Sequence, residues 1–407
     1  MSPFINKTSR RQIIGRRFFL RSLGFFGLAS MSPAFATGAC INTAQAWPLW
    51  EQFKGRFIQA DGRVIDYSTN EQHSTSEGQS YALFFALVAN DKTSFAKILE
   101  WTKANLCAGD LTARLPAWKW GKRTDNSWGV IDTNSATDAD LWIAYSLFLA
   151  GDHWAETTYS ALGSSLLTLL EKRAVAKLPQ LGPMLLPGAQ GFEPKENVWR
   201  FNPSYLPPFM LAYFSKKQGG VWPTIEKNSL RLLDKSGQNG YAADWVAYKF
   251  DSKAGGVWII DPDKKDLASF DGIRVYTWLG MTAEKTTRQR LLRLYDGMHK
   301  LMQSRLAPPQ VVKTQTGEVQ ENAGIGFSAA LLPYLQALGE SKLLNQQRTR
   351  INALYDGSAQ KLQSLSYYDA VLLLFGIGWL DNLFRFDNIG QAALKWSCAK
   401  PVMTVSK

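Results

Sequence analysis

The sequence predicts an all-α fold built as a ring of helical hairpins, an α/α toroid. Apolar runs with few β-branched residues recur along the chain, whereas the alternating pattern of strands is sparse. Several of these runs are apolar nearly all round, which is typical of helices buried on both sides. No low-complexity linker divides the 407 residues. We therefore expect one large domain of roughly ten to twelve helices rather than a four-helix bundle.

Seven runs are the clearest predicted helices. They are 78–88, 141–150, 162–170, 206–214, 273–281, 329–338 and 370–379. Clusters of Gly, Pro, Asn and Asp separate them, for example at 183–191 and 261–266, and such clusters favour turns. The best strand candidate is GGVWII at 255–260, which we expect to form a short hairpin edge.

The formal net charge of +12 is concentrated at the N-terminus. The first 36 residues contain six of the cations and no acid, so they account for half of the excess. Arg16 and Arg17 stand in GRRFFLR, a twin-arginine pattern, followed by a short apolar stretch at 22–31 and the small-residue sequence AFA at 34–36. The apolar stretch is about half the roughly 20 residues that a membrane span requires. A membrane anchor is therefore disfavoured.

We predict that residues 1–36 are a twin-arginine export signal and that 37–407 form the mature domain. The general export route and a second cleavage sequence, AQA at 44–46, remain alternatives. We expect a periplasmic or secreted mature chain without membrane insertion. The mature chain has only a small excess of positive charge, and its sequence shows no basic stripe with interleaved aromatic residues. We therefore expect no nucleic-acid partner.

The cysteines and histidines do not suggest a metal centre. Cys40 and Cys398 lie near the two ends of the mature chain and either pair in an oxidising compartment or remain two thiols. Cys107 should stay single and buried. The three His residues are far apart and no HExxH motif is present, so we expect no metal and no cofactor.

Three acids stand where apolar helices begin: Glu77, Asp138 and Asp271. A serine precedes each of the first two by three residues, so both match a capping box, and helix capping is the alternative to a catalytic role. Asp271 lies three residues before Arg274 and can pair with it.

The predicted toroid would bring these acids together. Its inner helices run in one direction, so that their N-termini gather at one mouth. Neighbouring carboxylates raise each other's pKa, which keeps one protonated near neutral pH. Acid-catalysed cleavage of a glycoside requires such a proton donor. Spacing alone leaves both capping and catalysis open.

A longer motif resembles a known family. ATDADLWIAYSLFLA at 136–150, with Trp154, resembles the signature of glycoside hydrolase family 8, A[ST]D[AG]Dxx[IM]Ax[SA], an apolar pair and xAxxx[FW], at every fixed position. Other segments are similar to the periplasmic endoglucanases of bacterial cellulose synthase operons, in order along essentially the whole mature chain. They are WPLWEQFK at 47–54, TSEGQSY at 75–81, RFNPSYLPP at 200–208 and IGFSAA at 325–330.

The resemblance implies an (α/α)6 barrel with an open cleft at the inner-helix N-termini, and inverting hydrolysis of β-1,4-glucan. Glu77 matches the family's general acid and Asp271 its base. Asp138 is described either as nucleophile or base, or as the residue that holds the distorted sugar. We favour the second role, since inversion needs only one base, which lies roughly 6.5–9.5 Å from the acid. Asp140 is expected to be a helix-start or supporting residue.

The aromatic content suits a sugar polymer, because rings stack on flat sugar faces while polar groups bind hydroxyls. The predicted substrate-binding residues are Trp118, Trp120, Trp199, Tyr205 and Arg274. Packing in the core is the alternative for any single Trp.

The leading hypothesis is therefore an endo-β-1,4-glucanase, or cellulase, acting on cellulose chains during bacterial cellulose biosynthesis and export. The cellulose synthase and export complex is a further candidate partner. One alternative is a family 8 hydrolase of xylan, chitosan or mixed-linkage glucan. A second is a non-catalytic glucan-binding subunit of the synthase, although the presence of all three acids argues against it.

Overall fold

The computed structural model describes residues 46–69, 71–192 and 196–397. The predicted signal at 1–36 and the pair Cys40 and Cys398 lie outside these residues. Cys107, which lies inside them, is unpaired and buried, as predicted. Within the described ranges no helix has the length and apolar character needed to cross a membrane.

The described part of the chain contains fourteen α-helices, more than the sequence predicted. They are α1 (Pro48–Phe57), α2 (Ser76–Val88), α3 (Lys92–Leu106), α4 (Thr137–Trp154), α5 (Thr157–Ala174), α6 (Pro208–Lys217), α7 (Trp222–Ser236), α8 (Gly272–Met281), α9 (Lys285–Leu294), α10 (Gly297–Met302), α11 (Ile325–Leu338), α12 (Ser341–Leu354), α13 (Ala359–Gln363) and α14 (Tyr367–Leu380).

Six of these helices, α2, α4, α6, α8, α11 and α14, form an inner ring. Each packs on the next one along the chain. Phe375 of α14 closes the ring against Tyr81 and Phe85 of α2, with ring centroids 5.4 and 4.7 Å apart. The inner helices are apolar on every face because they contact neighbours all round. The predicted (α/α)6 barrel is confirmed.

The outer layer consists of α3, α5, α7, α9 and α12, each paired with the inner helix before it. They are buried on one face only: α12, for example, buries Leu343, Gln347 and Ile351, which are four residues apart along one side. The sixth pair joins the two ends of the fold. Here α1 packs on α14, with the ring of Phe53 lying 5.9 Å from that of Tyr367.

Close approach of the inner helices depends on glycine where α14 crosses α11. A Cβ at Gly376 would lie 2.1 Å from the carbonyl oxygen of Ala329. A side chain there would push the two backbones apart, since a packed core has no room for an added methyl group.

Thirteen short strands, all paired antiparallel, fill the connections. They are β1 (Ser74–Thr75), β2 (Lys119–Lys122), β3 (Trp128–Asp132), β4 (Val175–Leu178), β5 (Gly182–Leu185), β6 (Val198–Phe201), β7 (Val246–Asp251), β8 (Gly255–Ile260), β9 (Leu267–Ala268), β10 (Pro309–Lys313), β11 (Val319–Asn322), β12 (Phe384–Phe386) and β13 (Ala392–Leu394).

The strands form five small sheets, β1-β2-β3, β4-β5, β6-β7-β8, β11-β10-β9 and β12-β13. The first four lie between the end of an outer helix and the start of an inner one, or, for β1, directly before α2. They therefore surround the mouth at which the inner helices begin. The predicted strand at 255–260 is β8, an edge of its sheet, as expected.

The β12–β13 hairpin covers the opposite end of the barrel. The ring of Phe386 lies 6.0 Å from that of Trp379, near the end of α14. After the hairpin, the indole nitrogen of Trp396 donates to the carbonyl oxygen of Leu87 at the end of α2, at 3.0 Å. The barrel is thus open for ligands at the N-terminal mouth and closed below it.

Candidate active site

The three predicted acids meet at the mouth of the barrel. Glu77 and Asp138 are the second residues of α2 and α4, and Asp271 directly precedes α8. Arg274 of α8 joins two of them: Nη1 donates to Asp138 Oδ2 at 3.2 Å and Nη2 to Asp271 Oδ1 at 2.6 Å. The parallel course of the inner helices produces this convergence.

Neither of the two predicted capping boxes forms. The N-cap of α2 is Thr75, whose hydroxyl accepts from the N–H of Gly78 at 3.1 Å. The N-cap of α4 is Ala136, which has no capping side chain, while the hydroxyl of Ser135 accepts from the N–H of Ala189. The capping interpretation is therefore wrong for both acids.

Glu77 is held next to Trp118 by the first sheet. The N–H of Ser76 donates to the carbonyl oxygen of Trp118 at 2.9 Å, and the indole nitrogen of Trp118 donates to Glu77 Oε1 at 3.1 Å. Burial, and next the negative charge of Asp138, raise the pKa of Glu77 from 4.5 to about 8. The carboxyl is consequently protonated at neutral pH, as a general acid must be.

Asp138 is almost fully buried, with 2% of its side chain exposed. Oδ1 accepts from the N–H of Ala139 at 2.9 Å, and Oδ2 accepts from Arg274. Burial raises the pKa of Asp138 to about 6, although the positive charge of Arg274 opposes this. Because both carboxylate oxygens already have protein partners, Asp138 is poorly placed to take a proton from water.

Asp271 is more accessible, with 30% of its side chain exposed. Its Oδ1 pairs with Arg274, and its Oδ2 makes no hydrogen bond to the described part of the chain. Arg274 also donates to the hydroxyl oxygens of Tyr81 and Ser204, at 2.8 and 2.9 Å. The guanidinium is thereby fixed from four sides and holds Asp271 in place.

Asp140 is buried and takes no part in this network. Neither carboxylate oxygen has a hydrogen-bond partner among the described residues. Burial raises the pKa of Asp140 well above its usual value, and the charges of Asp138 and Glu77 add to this effect. The ionised form is therefore disfavoured, since an unpaired buried charge is strongly unfavourable.

The predicted substrate-binding residues differ in exposure. Trp118 is 38% exposed beside Glu77. Tyr205 is half-buried, with the guanidinium of Arg274 5.7 Å from its ring centroid. Trp120 is half-buried as well, whereas Trp199 is 6% exposed and Arg274 is 7% exposed. Trp118 thus offers the most exposed ring of this set.

Sequence reasoning missed several residues around the acids. Tyr81 and Ser204, the partners of Arg274, lie inside the motif segments but gave no separate signal. Asp244 and Trp245 lie in a loop before β7, and the ring of Trp245 is 6.3 Å from that of Tyr205. Phe270 is 51% exposed next to Asp271. Only its position beside an acid could have drawn attention to it.

The site combines a protonated carboxyl with a second, arginine-paired carboxyl that has a free oxygen. These are the two groups that general acid and general base catalysis on a glycosidic bond require. In the described ranges no three His, Cys, Asp or Glu side chains are grouped as metal ligands.

Comparisons with known proteins agree with this chemistry. The model of the family "Glycosyl hydrolases family 8" matches residues 29–382. An endoglucanase of Salmonella typhi is 44% identical over 87% of this chain and 92% of its own length. An endoglucanase of Xanthomonas axonopodis pv. citri is 42% identical over 94% of this chain and 97% of its own. The crystal structure of an endo-1,4-D-glucanase from Vibrio fischeri ES114 superposes with a TM-score of 0.81 at 38% identity, covering 86% of this chain and 99% of that one.

Proposed function

The chain belongs to the glycosyl hydrolases of family 8, and on this premise we propose that it is an endo-β-1,4-glucanase that hydrolyses cellulose with inversion at the anomeric carbon. The observation that carries the proposal is the convergence of Glu77, Asp138 and Asp271 around Arg274 at the open end of the barrel.

In the proposed reaction Glu77 gives its proton to the leaving glycosidic oxygen as the bond from C1 to that oxygen breaks. Asp271 takes a proton from the water whose oxygen bonds to C1 on the opposite face of the sugar. The free Oδ2 of Asp271 supports this role, because the oxygens of Asp138 are already occupied. Asp138 holds the distorted sugar and its developing positive charge.

Glucan binding would rest first on the exposed aromatic side chains. Trp118 offers a stacking surface beside the acid, and Tyr205 offers one beside Arg274. Trp120 already has Arg63 4.4 Å from its ring centroid and Trp128 stacked on it at 5.5 Å, and Trp199 and Arg274 are nearly buried, so these three residues would contribute more by shaping the cleft.

We further propose that the enzyme works in the periplasm or outside the cell, in bacterial cellulose biosynthesis and export. The twin-arginine pattern at 15–21 and the small-residue sequence at 34–36 support export of the chain. In this role the enzyme would trim or release glucan strands next to the synthase complex. Replacing Arg16 and Arg17 by Lys should leave the protein in the cytoplasm, and export at the wild-type level would contradict a twin-arginine signal.

The direct test is proton NMR of cellopentaose during hydrolysis. Inversion predicts that the α-anomer forms first and then mutarotates; a first-formed β-anomer would overturn the mechanism. Parallel digestion of carboxymethylcellulose, xylan, chitosan and mixed-linkage glucan identifies the preferred polymer. Binding of cellopentaose without any cleavage would instead favour a glucan-binding subunit.

A further inference from the structure

Asp244 contacts the turn that carries Asp271. Its Oδ1 accepts two backbone N–H groups, from Ser269 at 2.7 Å and from Gly272 at 2.6 Å. Its own N–H donates to the carbonyl oxygen of Leu267 at 2.8 Å. One residue from the preceding loop thus holds the chain on both sides of Asp271.

The carboxylate of Asp271 does not cap its own helix. An Asp at the N-cap position ordinarily accepts an N–H of the first helical turn with its own carboxylate. Asp271 is the N-cap of α8 but makes no such bond. The N–H groups of Ile273 and Arg274 donate to the backbone carbonyl oxygens of Ser269 and Asp271, each at 3.0 Å, so the carboxylate of Asp271 is free to face Arg274 and the cleft.

The loop and the helix start fit each other closely. A Cβ at Gly272 would lie 2.3 Å from the carbonyl oxygen of Ala242 and 3.2 Å from Asp244 Oδ1, so the approach requires glycine. The N–H of Ala242 donates to the hydroxyl of Tyr276 at 3.1 Å, one turn further along α8. Residues 242–244 and the first turns of α8 are therefore one fixed unit.

The carboxyl of Asp244 keeps these bonds in either protonation state, since a carbonyl oxygen accepts hydrogen bonds as a carboxylate does. Burial, and next the charge of Asp271, raise the pKa of Asp244 to about 7, while the two backbone N–H groups lower it. An asparagine could make the same two bonds without a charge.

We propose that Asp244 is a positioning residue for Asp271, which fixes the turn at 269–272 so that the base reaches the attacking water. The inference rests on the proposed function, because it assumes that Asp271 is the base. It differs from a purely structural role in predicting a defect confined to the water-activating half of the reaction.

The experiment compares Asp244→Ala and Asp244→Asn with wild type on cellopentaose. In the alanine variant kcat should fall on the order of tenfold to hundredfold with little change in KM, because a displacement of about 1 Å suffices for such a loss. The asparagine variant should recover most of kcat. Asp251→Ala is the matched control: Asp251 also accepts two backbone N–H groups, from Lys253 and Ala254, but in the exposed β7–β8 turn. Its activity should equal that of wild type.

Added azide distinguishes a loss of base function from a general structural defect, because azide is a nucleophile that needs no base. It bonds to C1 through nitrogen as the bond from C1 to the glycosidic oxygen breaks, the leaving oxygen takes the proton of Glu77, and no base is needed. Azide should therefore accelerate Asp244→Ala and yield the α-glycosyl azide, while leaving the Asp251→Ala control unchanged. If the alanine variant does not fold, Asp244→Glu, which pushes the turn outward by one methylene, takes its place with the same expectation.

An unchanged kcat in Asp244→Ala, a rise in KM alone, an asparagine variant as impaired as alanine, or no response to azide would each overturn the proposal. If wild type itself fails to cut cellopentaose, the proposed function fails instead. The two failures are therefore distinguishable in one set of assays.

Discussion

Substitution of Glu77 by Gln tests the acid at nearly constant shape. The amide oxygen can still accept from the indole nitrogen of Trp118, which now lies 3.1 Å from Oε1, but the side chain has no acidic proton to give. We expect kcat on cellopentaose to fall by about 10²–10⁴-fold. On a 2,4-dinitrophenyl cellooligosaccharide, whose leaving group departs without protonation, the kcat of the variant should fall far less.

The same substitution should stabilise the fold at alkaline pH. Below pH 4.5 the carboxyl is protonated in both the folded and the unfolded chain, so the two proteins should be equally stable. Between 4.5 and about 8 the unfolded chain releases the proton while the folded chain keeps it, and the wild-type protein loses stability as the pH rises. This difference between the pKa of Glu77 in the unfolded and the folded chain corresponds to a loss of at most about 5 kcal/mol in the free energy of unfolding. Because water in the cleft screens the partly exposed carboxyl, we expect Glu77→Gln to be more stable than wild type by about 2 kcal/mol at alkaline pH.

The measurement is urea unfolding of wild type and Glu77→Gln at about pH 4 and about pH 9. Glu100→Gln is the control, since Glu100 is 68% exposed on α3 and its replacement should change stability little at either pH. Substantial remaining turnover of cellopentaose would refute the assignment of the acid. A variant that is no more stable than wild type at alkaline pH would refute the electrostatic reasoning.

Three further predictions concern the site and the barrel. The kcat/KM of wild type should fall above about pH 8 as Glu77 loses its proton; a profile flat through this range would contradict the acid's raised pKa. Trp118→Phe removes a donor that favours ionised Glu77, so the alkaline limb should move to higher pH, and a move to lower pH would argue against the hydrogen bond. Gly376→Ala places a Cβ 2.1 Å from Ala329 O and should lower the free energy of unfolding by about 1–3 kcal/mol or more. The control Gly55→Ala, with no atom within 4 Å of the new Cβ, should stabilise α1 by up to about 1 kcal/mol, and equal stabilities of the two variants would contradict the packing argument.

The inner helices could be predicted from the sequence because burial on all faces leaves an uninterrupted apolar run. FFALV in α2 and VLLLF in α14 are such runs, and both helices lie in the inner ring. The outer helices are harder to find, because α9 and α12 bury one narrow stripe and expose charges elsewhere. The strands have two to six residues each, which is too short for a periodic pattern to be recognised.

The site was predicted in part. Glu77 and Asp138 were found because they open apolar helices and lie in matching motifs, but the serine spacing was misleading. The actual caps are at Thr75 and Ala136, one residue later than the serines. Asp244 gave no signal, since it opens no helix and its function depends on a turn some 25 residues further along the chain. Contacts of that kind are set by tertiary structure and not by local pattern.

The pairing of α1 with α14 has a consequence for folding kinetics. The sixth helix pair of the barrel joins residues from opposite ends of the described chain: the ring of Phe53 in α1 lies 5.9 Å from that of Tyr367 in α14. Contacts between such distant residues form late, because they close the longest loops. We therefore expect an intermediate of five helical hairpins, in which the ring is open and α2 exposes an apolar face until α14 packs against it. The time the chain spends in that state, more than the stability of the finished barrel, would set its tendency to aggregate during synthesis.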